Sequence, residues 1–273
     1  MIRRPVVLLV LAACCAIATV LTWLIAVETP TGRKADAAVA DAVLHAGGER
    51  LLEPLKGATS LADTLPFAVG AVCLVALAWL RRGAPLAIVC ALTLIAANAM
   101  TQLLQPALAG SRQVDLSGTE LSEVGSWPSG HAAAAMLLAL CAVLVAGPRL
   151  RLVTAIGGLG YALLVGGALV VLGGHLPSDI VAGYLLAGAF TALAAAAVAR
   201  LPMHAPGERR PAVAPALGAL AAVAVFATAA GEVVVTRRDE LSNAIANVPL
   251  LLAGAALAAA VVVLGAGVAL VRR

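Results

Sequence analysis

The sequence predicts an all-α fold, a polytopic bundle of about eight transmembrane helices. Three observations carry that prediction. Of 273 residues, 62% are hydrophobic and 12% charged, and the mean hydropathy is +1.03; a soluble domain is about half apolar and a quarter charged. Aromatic residues make up only 3%, so the apolar content is Ala, Val and Leu, the side chains of helices packed in lipid. The apolar residues also fall into runs of the roughly 20 residues that a bilayer-crossing helix needs. Too little charge remains to cover a soluble globule of this size.

Eight stretches approach or meet that length: 5–27, 61–80, 84–104, 129–147, 152–172, 180–198, 212–230 and 248–270. The first follows Arg3-Arg4 and contains Leu11-Ala12-Ala13-Cys14, the order of a bacterial lipoprotein signal. Its apolar run continues to Val27, where a lipoprotein turns polar, so a retained first helix is expected. The second is the weakest, with Asp63 near its start. Between them lies an external segment, 28–60, in which Val39, Val43 and Leu44 recur at helical spacing among Asp36 and Asp41. It reads either as an amphipathic helix at the interface or as a solvated loop. The fifth stretch repeats Gly158, Ala162 and Gly166 every four residues, a ridge of small residues for close helix packing. The seventh contains Pro215, which lipid-embedded helices tolerate when neighbours satisfy the freed carbonyl. Cys14, Cys15, Cys73, Cys90 and Cys141 all sit in apolar runs without CxxC or metal-ligand spacing, and read as small core hydrophobes.

The loops fix an orientation. With the N-terminus in the cytoplasm, the inside receives 11 basic residues and one acid, Glu208; the outside receives 7 basic residues and 13 acids. Every cytoplasmic segment then obeys the positive-inside rule, so an even number of spans with both termini inside is expected. The basic residues are 16 Arg and 2 Lys, a bias common in bacteria with GC-rich genomes. A bacterial plasma membrane is the expected location.

Ionisable groups at membrane depth are costly and mark function, and three sites on the outer side stand out. Ser126-Trp127-Pro128-Ser129-Gly130-His131 opens the fourth helix. Pro suits a first helical turn, and the N–H groups of Ser129, Gly130 and His131 then point outward without intrahelical partners, a ready anion site with a proton donor beside it. His175-Leu176-Pro177-Ser178-Asp179 lies between the fifth and sixth helices. Asp179, four residues after His175, is placed to accept from one ring nitrogen and leave the other as a nucleophile. Arg112, in the loop before the fourth helix, is a fork for phosphate oxygens. Taken singly, each motif also reads as an ordinary helix start or a satisfied interfacial histidine. Two of the four histidines fall in these motifs on one face, whereas His45 and His204 have no such company.

Pro-Ser-Gly-His opening one helix, with His-x-x-x-Asp beginning 44 residues after the first His, resembles the type-2 phosphatidic acid phosphatase superfamily of integral-membrane lipid phosphate phosphatases. The resemblance spans roughly 61–200. It implies a lipid-phosphatase-like membrane core over 1–200, with 201–273 as two additional C-terminal transmembrane helices. It also implies a metal-independent phosphatase with no cofactor: His175 attacks phosphorus, Asp179 orients it, His131 protonates the leaving oxygen, and Ser129 and Gly130 hold phosphate oxygens. Arg112 and Gln105 complete the phosphate-binding set. The chain departs from the family pattern at three places. Gln105 stands where a Lys is expected, Gln113 where a Pro is expected, and Ala168-Leu169 where Ser-Arg is expected.

These readings converge on hydrolysis of a lipid-linked phosphate or diphosphate, polyprenyl or glycerolipid, at the outer membrane face through a phosphohistidine. The partners expected are a membrane lipid substrate and the bilayer, with no nucleic acid; the residues say nothing of oligomeric state. A degenerate relative that binds a lipid head group or a partner protein is the alternative, since two of three expected phosphate-binding cations are missing. A transporter shows inverted repeats and broken mid-membrane helices, whereas here the polar groups sit at helix ends.

Overall fold

The computed structural model describes residues 4–44, 49–108 and 127–201. The expected seventh and eighth spans, the C-terminal unit beyond Leu201, Arg112 and Gln113 lie outside the described residues. Among those described there is no strand. Helix α1 (Arg4–Trp23) runs on into a π-helical turn, Leu24–Glu28. Helices α2 (Pro30–Leu44) and α3 (Glu49–Ser60) follow, then α4 (Thr64–Arg82), α5 (Ala84–Leu108), α6 (Gly130–Val145), α7 (Arg151–Val171) and α8 (Pro177–Val198).

Five helices, α1, α4, α5, α7 and α8, are long and apolar enough to cross a membrane, and α6 is a shorter apolar helix. Each of the first six expected spans is therefore a helix, within a few residues of its expected limits. Helix α6 stops at Val145, just before Gly147-Pro148, because a proline cannot continue the hydrogen-bond ladder. The protein is an integral membrane helical bundle.

The centre of the bundle is where the side chains are smallest. Helix α8 is mostly buried, whereas α1 leaves Val6, Val10, Ile17 and Val20 facing outward as a lipid-contacting surface should. Helices α6 and α8 approach closely at Gly183. A Cβ there would lie 2.8 Å from the Ser129 carbonyl oxygen and 3.0 Å from the Ala133 nitrogen. The small-residue ridge of α7 packs as its spacing predicts. Gly158 faces Ala139 of α6, Ala162 is buried, and Gly166 leaves room for Tyr184, whose hydroxyl donates to the Ala162 carbonyl. A larger core joins Phe67 and Val75 of α4, Leu86 and Leu94 of α5, and Leu137 and Cys141 of α6.

Of segment 28–60, residues 30–44 and 49–60 are helical, so the helical reading holds for those residues. Helix α2 packs against α7 and the start of α8, with Ala37, Ala40 and Val43 in the shared apolar cluster, so it docks on the bundle. Helix α3 is a further helix that the sequence reading did not separate, because Pro54 interrupts its pattern.

Since α4, α6 and α8 begin where α5 and α7 end, one end of the bundle collects Asp63, Gln105, Ser129, His131, His175 and Asp179. The opposite end collects Arg81, Arg82, Arg149, Arg151 and Arg200. There the Arg151 Nε donates to the Ala146 carbonyl (3.3 Å) at the C-terminus of α6, where a cation suits the helix dipole.

Candidate active site

The site is built on two helix starts. At α6, Ser129 is the N-cap: its backbone is extended and its hydroxyl accepts from the Ala132 N–H at 3.3 Å, satisfying one of the helix's orphan donors. Pro128 therefore lies one residue ahead of the cap and outside the first turn, contrary to the expectation from its sequence position. The first turn is Gly130-His131-Ala132. At α8, Pro177 occupies the first turn, where its missing N–H costs nothing. The turn before α8 depends on Gly173, which takes φ 71° and lets the Gly174 and His175 N–H groups fold back onto the Leu169 carbonyl (2.9 and 3.3 Å). That turn carries His175.

The two starts are hydrogen-bonded to each other. The Ser129 N–H donates to the Asp179 carbonyl at 3.0 Å. This corrects one expectation: the Ser129 N–H does not point outward, because close approach at Gly183 brings an α8 carbonyl within reach of it. Gly130 and His131 head the first turn instead.

His131 and His175, the two histidines among the described residues, each have a carboxylate beside them. His175 Nδ1 lies 3.4 Å from Asp179 Oδ2, and the pair is nearly enclosed, with side chains 10% and 2% exposed. The same Asp179 oxygen accepts from the Leu176 N–H at 3.0 Å, which fixes the carboxylate at the helix start. His131 Nε2 lies 3.0 Å from Oδ1 of Asp63, the residue that precedes α4, and this pair is open, at 41% and 55%. In the sequence alone, Asp63 stands out only as an acid that weakens the second span. An acid at the edge of a lipid-facing run is itself a signal of function, but its partner lies 68 residues away and no local pattern names it.

Gln105, assigned to the phosphate-binding set, reaches the site from the end of α5. Its Nε2 donates to the Pro128 carbonyl at 3.1 Å and lies 3.5 Å from where a Gly130 Cβ would stand. It ties α5 to the opening of α6. Ala168 and Leu169 are buried in α7 and bring no cation. Lys56, among the seven basic residues assigned to the outer side, is exposed and paired with Glu53 at 2.9 Å. Arg237 and Arg238 lie outside the described residues.

One end of the bundle therefore gathers the first turn of α6, a solvent-open histidine beside Asp63 and an enclosed histidine beside Asp179. Residues 88–202 match the PAP2 superfamily. The resemblance read from Pro128-Ser129-Gly130-His131 and from His175 with Asp179 is thereby shown, and the PAP2 segment covers most of α5 and all of α6, α7 and α8. The fold is similar to the crystal structure of the first transmembrane PAP2-type phosphatidylglycerolphosphate phosphatase from Bacillus subtilis. The TM-score is 0.51 at 23% identity, covering 70% of this chain and 94% of that one. No curated protein matches the sequence. Asp63 and Asp36 both lie ahead of the PAP2 segment.

Proposed function

We propose that this chain is a membrane phosphatase that hydrolyses a lipid-linked phosphate or diphosphate by way of a phosphohistidine. The observation that carries the reading is the 3.0 Å bond from the Ser129 N–H to the Asp179 carbonyl. It joins the helix start bearing Gly130 and His131 to the one bearing His175 and its carboxylate. The PAP2 match over 88–202 supports the same class of reaction.

The chemistry follows from the donors present. Asp179 accepts from Nδ1–H of His175, which makes Nε2 the ring nitrogen whose lone pair attacks phosphorus. Phosphate oxygens lie against the first turn of α6, where backbone N–H groups and the helix dipole favour negative charge. As Nε2 bonds to phosphorus, the P–O bond to the lipid breaks and protonated His131 gives its proton to the departing oxygen. His131, now neutral, takes a proton from water as the water oxygen attacks phosphorus. The P–N bond breaks, inorganic phosphate leaves, and His175 is restored. Arg112 belongs to this proposal as a phosphate ligand, and Gln105 as the residue that holds the Pro128 carbonyl in place.

The reaction face is the outer one. The arginine end of the bundle suits the cytoplasm and the histidine end the exterior, with both termini inside and a bacterial plasma membrane as the setting. A lipid keeps its tail in the bilayer while its phosphate reaches the helix starts. Residues 1–200 form the working core, with 201–273 added to it.

The test is phosphate release by purified protein in detergent with EDTA. The substrates are phosphatidylglycerolphosphate, phosphatidate, a prenyl phosphate and a prenyl diphosphate, and His175→Ala is the control. Release that persists in EDTA and is lost in His175→Ala is expected for at least one lipid. No release above that control for any of them would sink the proposal in favour of a degenerate relative that binds head groups.

A further inference from the structure

The external helix α2 sends one carboxylate into the bundle. Asp36, 8% exposed, meets Ser178, also 8% exposed, in the first turn of α8. Oδ1 accepts from the Ser178 N–H at 3.0 Å and Oδ2 from the Ser178 hydroxyl at 2.6 Å, across 142 residues of chain. Burying a carboxylate costs several kcal/mol unless hydrogen bonds compensate it, and here both oxygens are bonded to one residue. The residue capping α8 is Leu176, which has no acceptor in its side chain, so the cap is imported from another helix.

Ser178 adjoins Asp179. His175 hangs from the end of α7 through the Leu169 carbonyl, whereas Asp179 belongs to α8. The 3.4 Å contact between them therefore spans two elements, and its length depends on how the first turn of α8 is rotated. A two-point grip on Ser178 fixes both the position and the rotation of that turn. We infer that Asp36 is a positioning residue for the His175–Asp179 pair, so that the external segment is part of the catalytic apparatus. This rests on the phosphatase reading proposed above. Asp36 lies ahead of the matched residues 88–202, so the family match does not assign it a role.

The full chain in detergent tests this with Asp36→Ala, Asp36→Asn and Ser178→Ala, using the same lipid phosphates and amide hydrogen exchange over 172–183. Loss of the grip in Asp36→Ala is expected to lower kcat about 10–100-fold, the cost of a small misplacement, with KM within about twofold and faster exchange at the α8 start. Asp36→Asn is expected to recover kcat to within about fivefold, because its amide oxygen accepts from the Ser178 N–H and its amide N–H donates to the Ser178 hydroxyl oxygen. Ser178→Ala removes only the shorter bond and is expected to cost about three- to tenfold in kcat; it serves if Asp36→Ala does not fold. The inference is overturned if Asp36→Ala lowers only the melting temperature and keeps kcat within twofold, or if Asp36→Asn is as impaired as Asp36→Ala. Should the wild type release phosphate from no lipid, the phosphatase reading falls and exchange alone decides. Faster exchange in Asp36→Ala then sustains the grip, and unchanged exchange removes it.

Discussion

Helices α6 and α8 begin side by side, and each has a His–Asp pair, yet the two starts are opposites. The α8 start is closed: Asp36 bonds the Ser178 N–H, Asp179 bonds the Leu176 N–H, and the His175–Asp179 pair is almost wholly enclosed. The α6 start carries only the neutral Ser129 hydroxyl as a cap, and its His131–Asp63 pair is open to solvent. Helix N-termini attract anions. At α8 two carboxylates of the protein already fill that role, which leaves α6 as the start suited to a phosphate. Burial also separates the two pairs in how strongly their members interact, because an interaction in a low-dielectric site is screened far less than one in water. In the mechanism proposed above, the closed pair holds the nucleophile still and the open pair exchanges protons with what arrives.

The largest effects should come from the closed start. His175→Ala is expected to lower phosphate release by at least about 10³-fold, as removal of a nucleophile does. Asp179→Asn should cost about 10²–10⁴-fold, since it disturbs the tautomer that exposes Nε2. Asp63→Asn at the open start should cost only about three- to tenfold, in keeping with the small worth of exposed ion pairs. Steady-state rates on one lipid phosphate compare the three. Equal losses for Asp63→Asn and Asp179→Asn would erase the distinction drawn from burial. Salt sharpens it further: raising ionic strength from about 0.05 to 0.5 M should shrink the Asp63→Asn defect and leave the Asp179→Asn defect unchanged.

A second class of effect tests the join between the starts. Gly183→Ala puts a methyl 2.8 Å from the Ser129 carbonyl oxygen and 3.0 Å from the Ala133 nitrogen, both backbone atoms that move only if the helices part. Overpacking of this kind costs about 1–3 kcal/mol, and the shift should lower kcat about 10–100-fold. A melting curve and a rate measurement on the same sample read both. An active, undiminished Gly183→Ala would mean that the spacing of the two starts does not matter to the chemistry.

The sequence displays the bundle because lipid imposes one rule on every span: about 20 apolar residues with small side chains where helices meet. Gly158, Ala162 and Gly166 declare a packed face by spacing alone. His175 and Asp179 are equally legible, four residues apart around a helix start. What stays hidden is long-range. Nothing near Asp63 names His131 as its partner, and Asp36 reads as one acid in a polar segment until α2 is seen docked on α8. The fate of the Ser129 N–H is hidden for the same reason, because its acceptor lies on another helix. Local pattern reports which groups are exceptional for a membrane, but only the packing reports which of them meet.

The smallest expected effect belongs to Gly130, and it tests whether the open start is where phosphate sits. A Cβ at this position would stand 3.5 Å from the Gln105 Nε2, an ordinary contact, and among the described residues meets no other side chain or neighbouring element within 4 Å. Gly130→Ala should therefore leave the melting temperature within about 1 °C, or raise it, since Ala is better than Gly in a helix by up to about 1 kcal/mol. A methyl at the head of α6 nevertheless occupies space that a phosphate oxygen needs to reach the first-turn N–H groups. A rise in KM of about three- to tenfold is expected, with kcat changed less. Inorganic phosphate, the product, should inhibit Gly130→Ala more weakly by a similar factor, because it leans on the same donors. Unchanged KM and unchanged inhibition would move the phosphate away from α6 and remove the functional half of the contrast between the two helix starts.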